Sequence, residues 1–287
     1  FGLTLGERVA VLSQPAVLPL LVLIMTLSTT SITSRDFTSF KTMPGRILVA
    51  LLINYVVMGG IILVMGNWLI DDSELWTGLV VIAVVPPAIA AVPWTYMLGG
   101  DMLFSLLSIT GAYLVALAFT PTIMIVFLGV GFFKPIDVLI LLGELILIPI
   151  IASRTLIFTN FVRHTNKWRG TIVNWSFFVI LFTIIGLNRQ AFFGEPEILL
   201  KLSIIGITIS FVLSHTIEVV ARAFHTKHPT IISFILLGAM KNFGLASGIL
   251  LSLFSERATV PGSIFIVFGL LRSLWLGFYF KKPAQVP

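Results

Sequence analysis

Long apolar runs separated by short polar clusters recur along the whole chain. A helix needs about 20 mostly apolar residues to cross the hydrocarbon of a bilayer. Reading the runs against their proline, glycine and charged breakers predicts nine spans, at roughly 15–33, 47–70, 76–99, 102–129, 135–152, 171–188, 197–223, 230–254 and 259–280. Two of these differ from the rest. The third contains Val85-Pro86-Pro87-Ala88-Ile89-Ala90-Ala91-Val92-Pro93-Trp94-Thr95-Tyr96, whose prolines remove backbone donors and clash with the preceding turns at mid-span. The eighth contains Gly238-Ala239-Met240-Lys241-Asn242-Phe243-Gly244-Leu245-Ala246-Ser247-Gly248, glycines set around a lysine and an asparagine. Small residues for close helix packing are the alternative reading of this second segment.

The two interrupted spans lie about 150 residues apart, and their neighbours follow the same offset: 15–33 with 171–188, 47–70 with 197–223, and 102–129 with 259–280. Each partner comes five spans later, an odd number, so the two copies have opposite orientations. Inverted repeats with corresponding broken helices point to a secondary transporter whose binding site sits at mid-membrane. By the same offset the span 135–152 lacks a partner, so a tenth helix is expected upstream, with residues 1–10 close to its exit.

Composition agrees. The 287 residues are 57% hydrophobic and 10% charged, with a mean hydropathy of +1.08. A soluble domain carries about 25% charged residues to cover its surface. Soluble enzymes, nucleic-acid-binding domains and disulfide-stapled modules are therefore excluded. With no cysteine, neither disulfides nor thiolate metal sites can form.

The net charge of +6 is explained by its distribution. Arg35, Lys41, Arg46, Arg154, Arg163, Lys167, Arg169, Arg222, Lys227, Lys281 and Lys282 fall on one side of the predicted topology. Arg8, Lys134, Arg189, Lys201 and Arg257 fall on the other, with the acidic cluster Asp71, Asp72 and Glu74. The positive-inside rule makes the first side cytoplasmic, with the C-terminus there and Phe1 outside, in the cell membrane. Nothing at Phe1 resembles a signal peptide.

Lys241, Arg272, Glu144 and Glu218 fall inside predicted spans. A charge at bilayer depth costs at least about 2.5–3.5 kcal/mol, so such residues face a bundle interior or a wet cavity. Glu218 and Arg272 are candidate charge partners on neighbouring helices, and Glu144 is either functional or close to the interface. The basic stretch from Arg154 to Arg169, carrying Phe158, Phe161 and Trp168, reads as one interfacial amphipathic segment against acidic lipid heads. His225 and His228 read as a solvated loop, and no metal is expected.

At these motifs the sequence resembles the bile acid:sodium symporter family. The family's early motif is similar to Met25-Thr26-Leu27-Ser28 through Ser34-Arg35-Asp36-Phe37. Its first crossover motif corresponds, without a gap, to Pro86 to Tyr96 followed by Gly100-Asp101. Its second crossover motif corresponds to Leu237 through Ala246, retaining Met240, Asn242, Gly244, Leu245 and Ala246. Val260-Pro261-Gly262 matches the start of the family's last helix.

Carried over by this resemblance, the sodium ligands are replaced. A serine and an asparagine of the first crossover fall on Ala91 and Val92, and a glutamate and a glutamine of the second fall on Leu237 and Lys241. A glutamine of the preceding helix falls on Asn54, and a serine of the following helix on Ser105. The resemblance thus implies a substrate site drawn from Asn54, Pro93, Thr95, Ser105 and Asn242, with Lys241 as a surrogate for the ion. The arsenite-efflux relatives are disfavoured because their site depends on cysteine. The auxin carriers, which share the fold and work without sodium, are a structural cousin with prolines at the crossover.

The expectation is an all-α polytopic membrane protein of two inverted repeats, with two discontinuous helices crossing at mid-membrane. A core subdomain spans approximately 47–129 and 197–280, and a panel approximately 15–33 and 135–188. Its partners are a small organic anion, which it carries by alternating access without sodium, and the lipid bilayer. No nucleic acid, cofactor or catalytic residue is expected, since HExxH, GxSxG and facing aspartate pairs are absent. The alternatives are a receptor or sensor built on the transporter scaffold, or an auxin-carrier-like exporter.

Overall fold

The computed structural model of the chain describes residues 7–30, 43–129 and 131–280, and within these every side chain but those of 7, 8 and 163–166. Phe1, Ser34 to Phe37, Lys41, Lys281 and Lys282 lie outside the described residues, as do the side chains of Arg8, Arg163 and His164.

The described chain is helical. In order come α1 (Glu7–Ser13), α2 (Val17–Thr29), α3 (Pro44–Leu51), α4 (Gly59–Leu69), α5 (Ser73–Val84), α6 (Ala91–Leu98), α7 (Met102–Leu128), α8 (Pro135–Phe158), α9 (Val162–Leu187), α10 (Arg189–Phe193), α11 (Pro196–Ile207), α12 (Leu213–Ala223), α13 (His228–Gly238), α14 (Phe243–Leu253) and α15 (Val260–Tyr279). π-Helical turns at Leu52–Met58 and Thr208–Val212 join α3 to α4 and α11 to α12 without interrupting either rod. Among the described residues, seven stretches are long and apolar enough to cross a membrane: Val9–Thr29, Pro44–Leu69, Met102–Leu128, Pro135–Phe158, Lys167–Leu187, Pro196–Ala223 and Arg257–Tyr279. The protein is an all-α polytopic membrane protein.

The expected spans 76–99 and 230–254 are each divided, into α5 with α6 and α13 with α14. Pro86 and Pro87 have no N–H to continue α5, and Val85 leaves it in an extended conformation at φ −71 and ψ 152. Pro93 falls in the first turn of α6, where its missing donor would have had no partner anyway. The second break follows Gly238; Asn242 then restarts the helix, its Oδ1 accepting from Leu245 N–H at 3.0 Å.

Within the stretch from Arg154 to Arg169, α8 continues to Phe158 and α9 begins at Val162. The turn between them uses Asn160 at φ 57, a left-handed conformation that asparagine tolerates after a helix end. Polar residues can extend a helix beyond the hydrocarbon, so an apolar run bounds the buried part of a helix and not its end. Glu144 sits on the exposed face of α8 beside Ile140, Leu147 and Ile148.

Packing follows burial. α2 packs chiefly against α8 and α9; α5 packs against α4 and α7, α11 against α15, and α12 against α13. α5 and α13 are the most enclosed, with Leu79 to Val85 and Ile231 to Leu237 all buried. Gly78 permits the approach of α5 to the turn at Arg257–Thr259, since a Cβ there would lie 2.0 Å from the Ala258 carbonyl oxygen. The same turn is clasped by charge: Arg257 donates to Asp72 Oδ2 at 2.8 Å and to both Glu195 oxygens at 3.0 and 2.8 Å. Partial burial pushes the Asp72 carboxyl up, but hydrogen bonds from Leu75 N–H, Arg257 and Glu74 N–H outweigh it and hold it below its usual value. Hydrogen bonding from Arg257 holds Glu195 low as well.

Candidate functional site

The two breaks meet backbone to backbone. Ala88 N–H donates to the Met240 carbonyl at 3.3 Å and Asn242 N–H to the Pro86 carbonyl at 3.0 Å, so Pro87 and Lys241 face each other as an antiparallel bridge. The break leaves carbonyls of α5 without helical partners. Ala83 would accept from residue 87, a proline, and Val84 from Ala88 N–H, which is committed across the crossing. Val85 has left the helix altogether.

Lys241 fills most of this gap. Its Nζ donates to the Ala83 carbonyl at 2.8 Å, the Val85 carbonyl at 3.0 Å and Asn54 Oδ1 at 2.8 Å. An ammonium has three donors, and all three are used. Thr120 Oγ1 takes the remaining oxygen, that of Val84, at 2.9 Å. Lys241 is 1% exposed, and its ammonium lies 4.7 Å from the centre of the Tyr55 ring. Hydrogen bonds to a charged group are worth about 1.5–3 kcal/mol each, so three of them are of the same order as the insertion cost of the charge.

Asn54 is the hinge of this arrangement. While Oδ1 accepts from Lys241, Nδ2 donates to the carbonyls of Leu237 at 2.8 Å and Met240 at 3.3 Å, capping the end of α13. The π-helical turn at Leu52–Met58 carries Asn54 and Tyr55 and sets their direction toward the crossing. Gly59 lets α4 approach, for a Cβ there would stand 2.8 Å from the Ala83 carbonyl oxygen that receives Lys241.

Asn242 belongs to the crossing, and its Nδ2 donates to the Tyr113 hydroxyl at 2.6 Å. Thr95 and Ser105 form a separate buried pair at 3.0 Å, with no hydrogen bond to Lys241 or Asn242 among the described residues. Glu218 pairs with Arg222 at 2.7 Å and with the Tyr279 hydroxyl at 3.3 Å, not with Arg272. Arg222 lies one helical turn beyond Glu218 on α12, so a local partner takes the carboxylate. Arg272 is fully buried, and its guanidinium nitrogens have no hydrogen-bond partner among the described residues.

Pro93 lies elsewhere, on a cavity of about 530 Å³ between α6 and α7 on one side and α2, α8 and α9 on the other. It reaches from Ile89 and Tyr113, beside the crossing, to Arg154 and Arg169. Its walls are otherwise mainly apolar. Arg154 donates to the Thr29 carbonyl at 2.9 Å and Arg169 reaches Thr30 Oγ1 at 3.4 Å, so both guanidinium groups are oriented at one end.

Sequence reasoning missed Tyr55 and Tyr113. All four tyrosines of the chain fall within predicted spans, so nothing in the sequence set these two apart. Neither the carbonyls of Ala83 and Val85 nor the lining role of Arg154 and Arg169 carries any residue-type signal.

A comparison with curated proteins finds no match. A model of the Sodium Bile acid symporter family matches residues 18–193, most of the chain and the whole of the first crossover region. With broken helices crossed inside a polytopic bundle, the chain belongs to the Sodium Bile acid symporter family of membrane transporters.

Proposed function

We propose that this protein carries a small organic anion across the membrane by alternating access and without sodium, the Lys241 ammonium standing permanently at the crossing. The observation that carries the reading is the set of three neutral oxygens around Lys241 Nζ, from Asn54, Ala83 and Val85. A cluster of carbonyl and amide oxygens at bilayer depth suits a monovalent cation, and here a tethered one occupies it. Leu237 contributes only its backbone carbonyl, to Asn54, and among the described residues the hydrogen-bond partners of Lys241 Nζ include no carboxylate.

The inverted repeat is supported by paired irregularities. π-Helical turns recur in Pro44–Leu69 and Pro196–Ala223, and breaks recur in the two spans that follow them. The core of 47–129 and 197–280 then moves against the panel of 15–33 and 135–188, with the cavity between them as the cargo site. Its apolar walls and two guanidinium groups fit a carboxylate or sulfonate on an apolar body. Tyr113 ties this cavity to the crossing through Asn242. The basic end faces the cytoplasm and the C-terminus lies on that side.

The test is uptake into proteoliposomes from a panel of apolar carboxylates and sulfonates, with sodium replaced by choline. Wild-type uptake is expected to be unchanged by the replacement, and Lys241→Met to lose at least about tenfold, the equivalent of one lost hydrogen bond to a charged group. A strong sodium requirement in the wild type refutes the tether. Saturable binding with no flux in any gradient assigns the chain to the sensor class instead.

A further inference from the structure

A second concave surface lies on the opposite side of α3 from Lys241 and has no part in the transport reading. It is a groove of about 740 Å³ between α3 with its π-helical turn and α12, floored by α13. Val49, Ile53 and Val57 form one wall, and Leu213, Ile217 and Val220 the other. Ile53 faces this groove while the adjacent Asn54 faces the lysine.

The groove is apolar along its length and cationic at one end, where Arg46 and Lys227 stand with His225 and Thr226. The turn between α12 and α13 is tight: His225 adopts φ 52 and Thr226 N–H returns to the Ala221 carbonyl at 3.0 Å. Arg46 is half-exposed and makes a loose ion pair with Asp101, Nη1 to Oδ2 3.7 Å, too long for a good hydrogen bond and leaving its other donors toward the groove end. Arg222, one turn away, is already paired with Glu218 at 2.7 Å. Arg46 and Lys227 are therefore the charges that this end offers to a ligand.

The dimensions match one leaflet. From Arg46 to Val57 the helix rises about 16 Å at about 1.5 Å per residue, half of a hydrocarbon core about 30 Å thick. A lipid whose phosphate lies at Arg46 and Lys227 would thus lay an acyl chain along the whole apolar wall. The volume falls within the range of about 300–1,000 Å³ that holds small amphipaths. A zwitterionic headgroup would bring its own cation beside two others, whereas an acidic one is complementary. We infer that this groove is a binding site for an acidic phospholipid of the leaflet on the basic side of the protein. The inference requires only that the chain spans a bilayer, and it stands apart from any transport cycle.

Native mass spectrometry of the delipidated full chain in detergent tests it, with phosphatidylglycerol, phosphatidylcholine and glycerol 3-phosphate as probes. Phosphatidylglycerol is expected to bind in preference to phosphatidylcholine. Arg46→Gln and Lys227→Gln should each weaken that binding about fivefold, the effect of one surface cation near an acidic headgroup. Val49→Trp, which fills the apolar wall and keeps both charges, should also weaken it, and it carries the test if the charge variants fail to fold. Equal binding of the two lipids by the wild type overturns the inference, as does undiminished phosphatidylglycerol binding in the folded variants. Displacement of the lipid by glycerol 3-phosphate at equal concentration also overturns it, by showing an anion site indifferent to the acyl chain.

Discussion

Asn54 shows most clearly how much one side chain carries at the crossing. Its amide serves the ammonium of Lys241 with one atom and the carbonyls of Leu237 and Met240 with the other. Asn54→Leu keeps the size and removes all of these bonds. Each buried polar group left unpaired costs about 1–3 kcal/mol, so the melting temperature in detergent should fall by roughly 5–10 °C. An unchanged melting curve would contradict the arrangement. Lys241 and Asn242 were legible from sequence because polar residues at bilayer depth are rare and expensive, whereas Asn54 was reached only through the family resemblance. Tyr55 was not, since an aromatic ring in an apolar span is ordinarily packing. Only its distance of 4.7 Å from the ammonium gives it an electrostatic role. The pairing expected between Glu218 and Arg272 failed for a related reason: charge alone does not choose a partner, and Arg222 is nearer along the same helix.

At the scale of elements, the broken helices illustrate how backbone chemistry creates a site. Two adjacent prolines deprive α5 of its continuation, and the freed oxygens become the walls that hold Lys241. Neighbouring glycines on α4 test this geometry against a matched control. A Cβ at Gly59 would lie 2.8 Å from the Ala83 oxygen, whereas one at Gly60 meets nothing within 4 Å. Gly60→Ala should leave stability unchanged or raise it by about 0.5–1 kcal/mol, the usual gain from replacing a mid-helix glycine. Gly59→Ala should lower it, measured as the midpoint of thermal unfolding, and should reduce uptake. Equal behaviour of the two variants would mean that Ala83 is not held where Lys241 needs it. The breaks themselves were readable as proline and glycine clusters. The π-helical turns were not, because Leu52–Met58 and Thr208–Val212 are ordinary apolar helix by composition and differ only in hydrogen-bond register.

For the whole molecule, orientation is the property most open to direct test. The chain has no cysteine, so a single introduced thiol reports its own side of the membrane. Glu74→Cys should react with an impermeant maleimide on intact cells, and Thr159→Cys, in the turn between α8 and α9, only after permeabilisation. The opposite pattern would reverse the orientation drawn from the distribution of lysine and arginine. What the sequence determined unaided is the class of molecule, an all-α polytopic membrane protein, and the apolar runs that become its helices. Insertion into lipid depends on apolar residues counted along the chain and on backbone groups satisfied within each helix, both local quantities. It also marked the two places where that local satisfaction fails. The partners of the freed groups were decided by tertiary structure, because Lys241 and its carbonyl acceptors are more than 150 residues apart. Their meeting depends on the close approach of helices through Gly59 and on the redirection of Asn54 by a π-helical turn. The cavity and the lipid groove are likewise products of packing, since each is lined by helices distant in sequence whose residues are unremarkable until they share a surface.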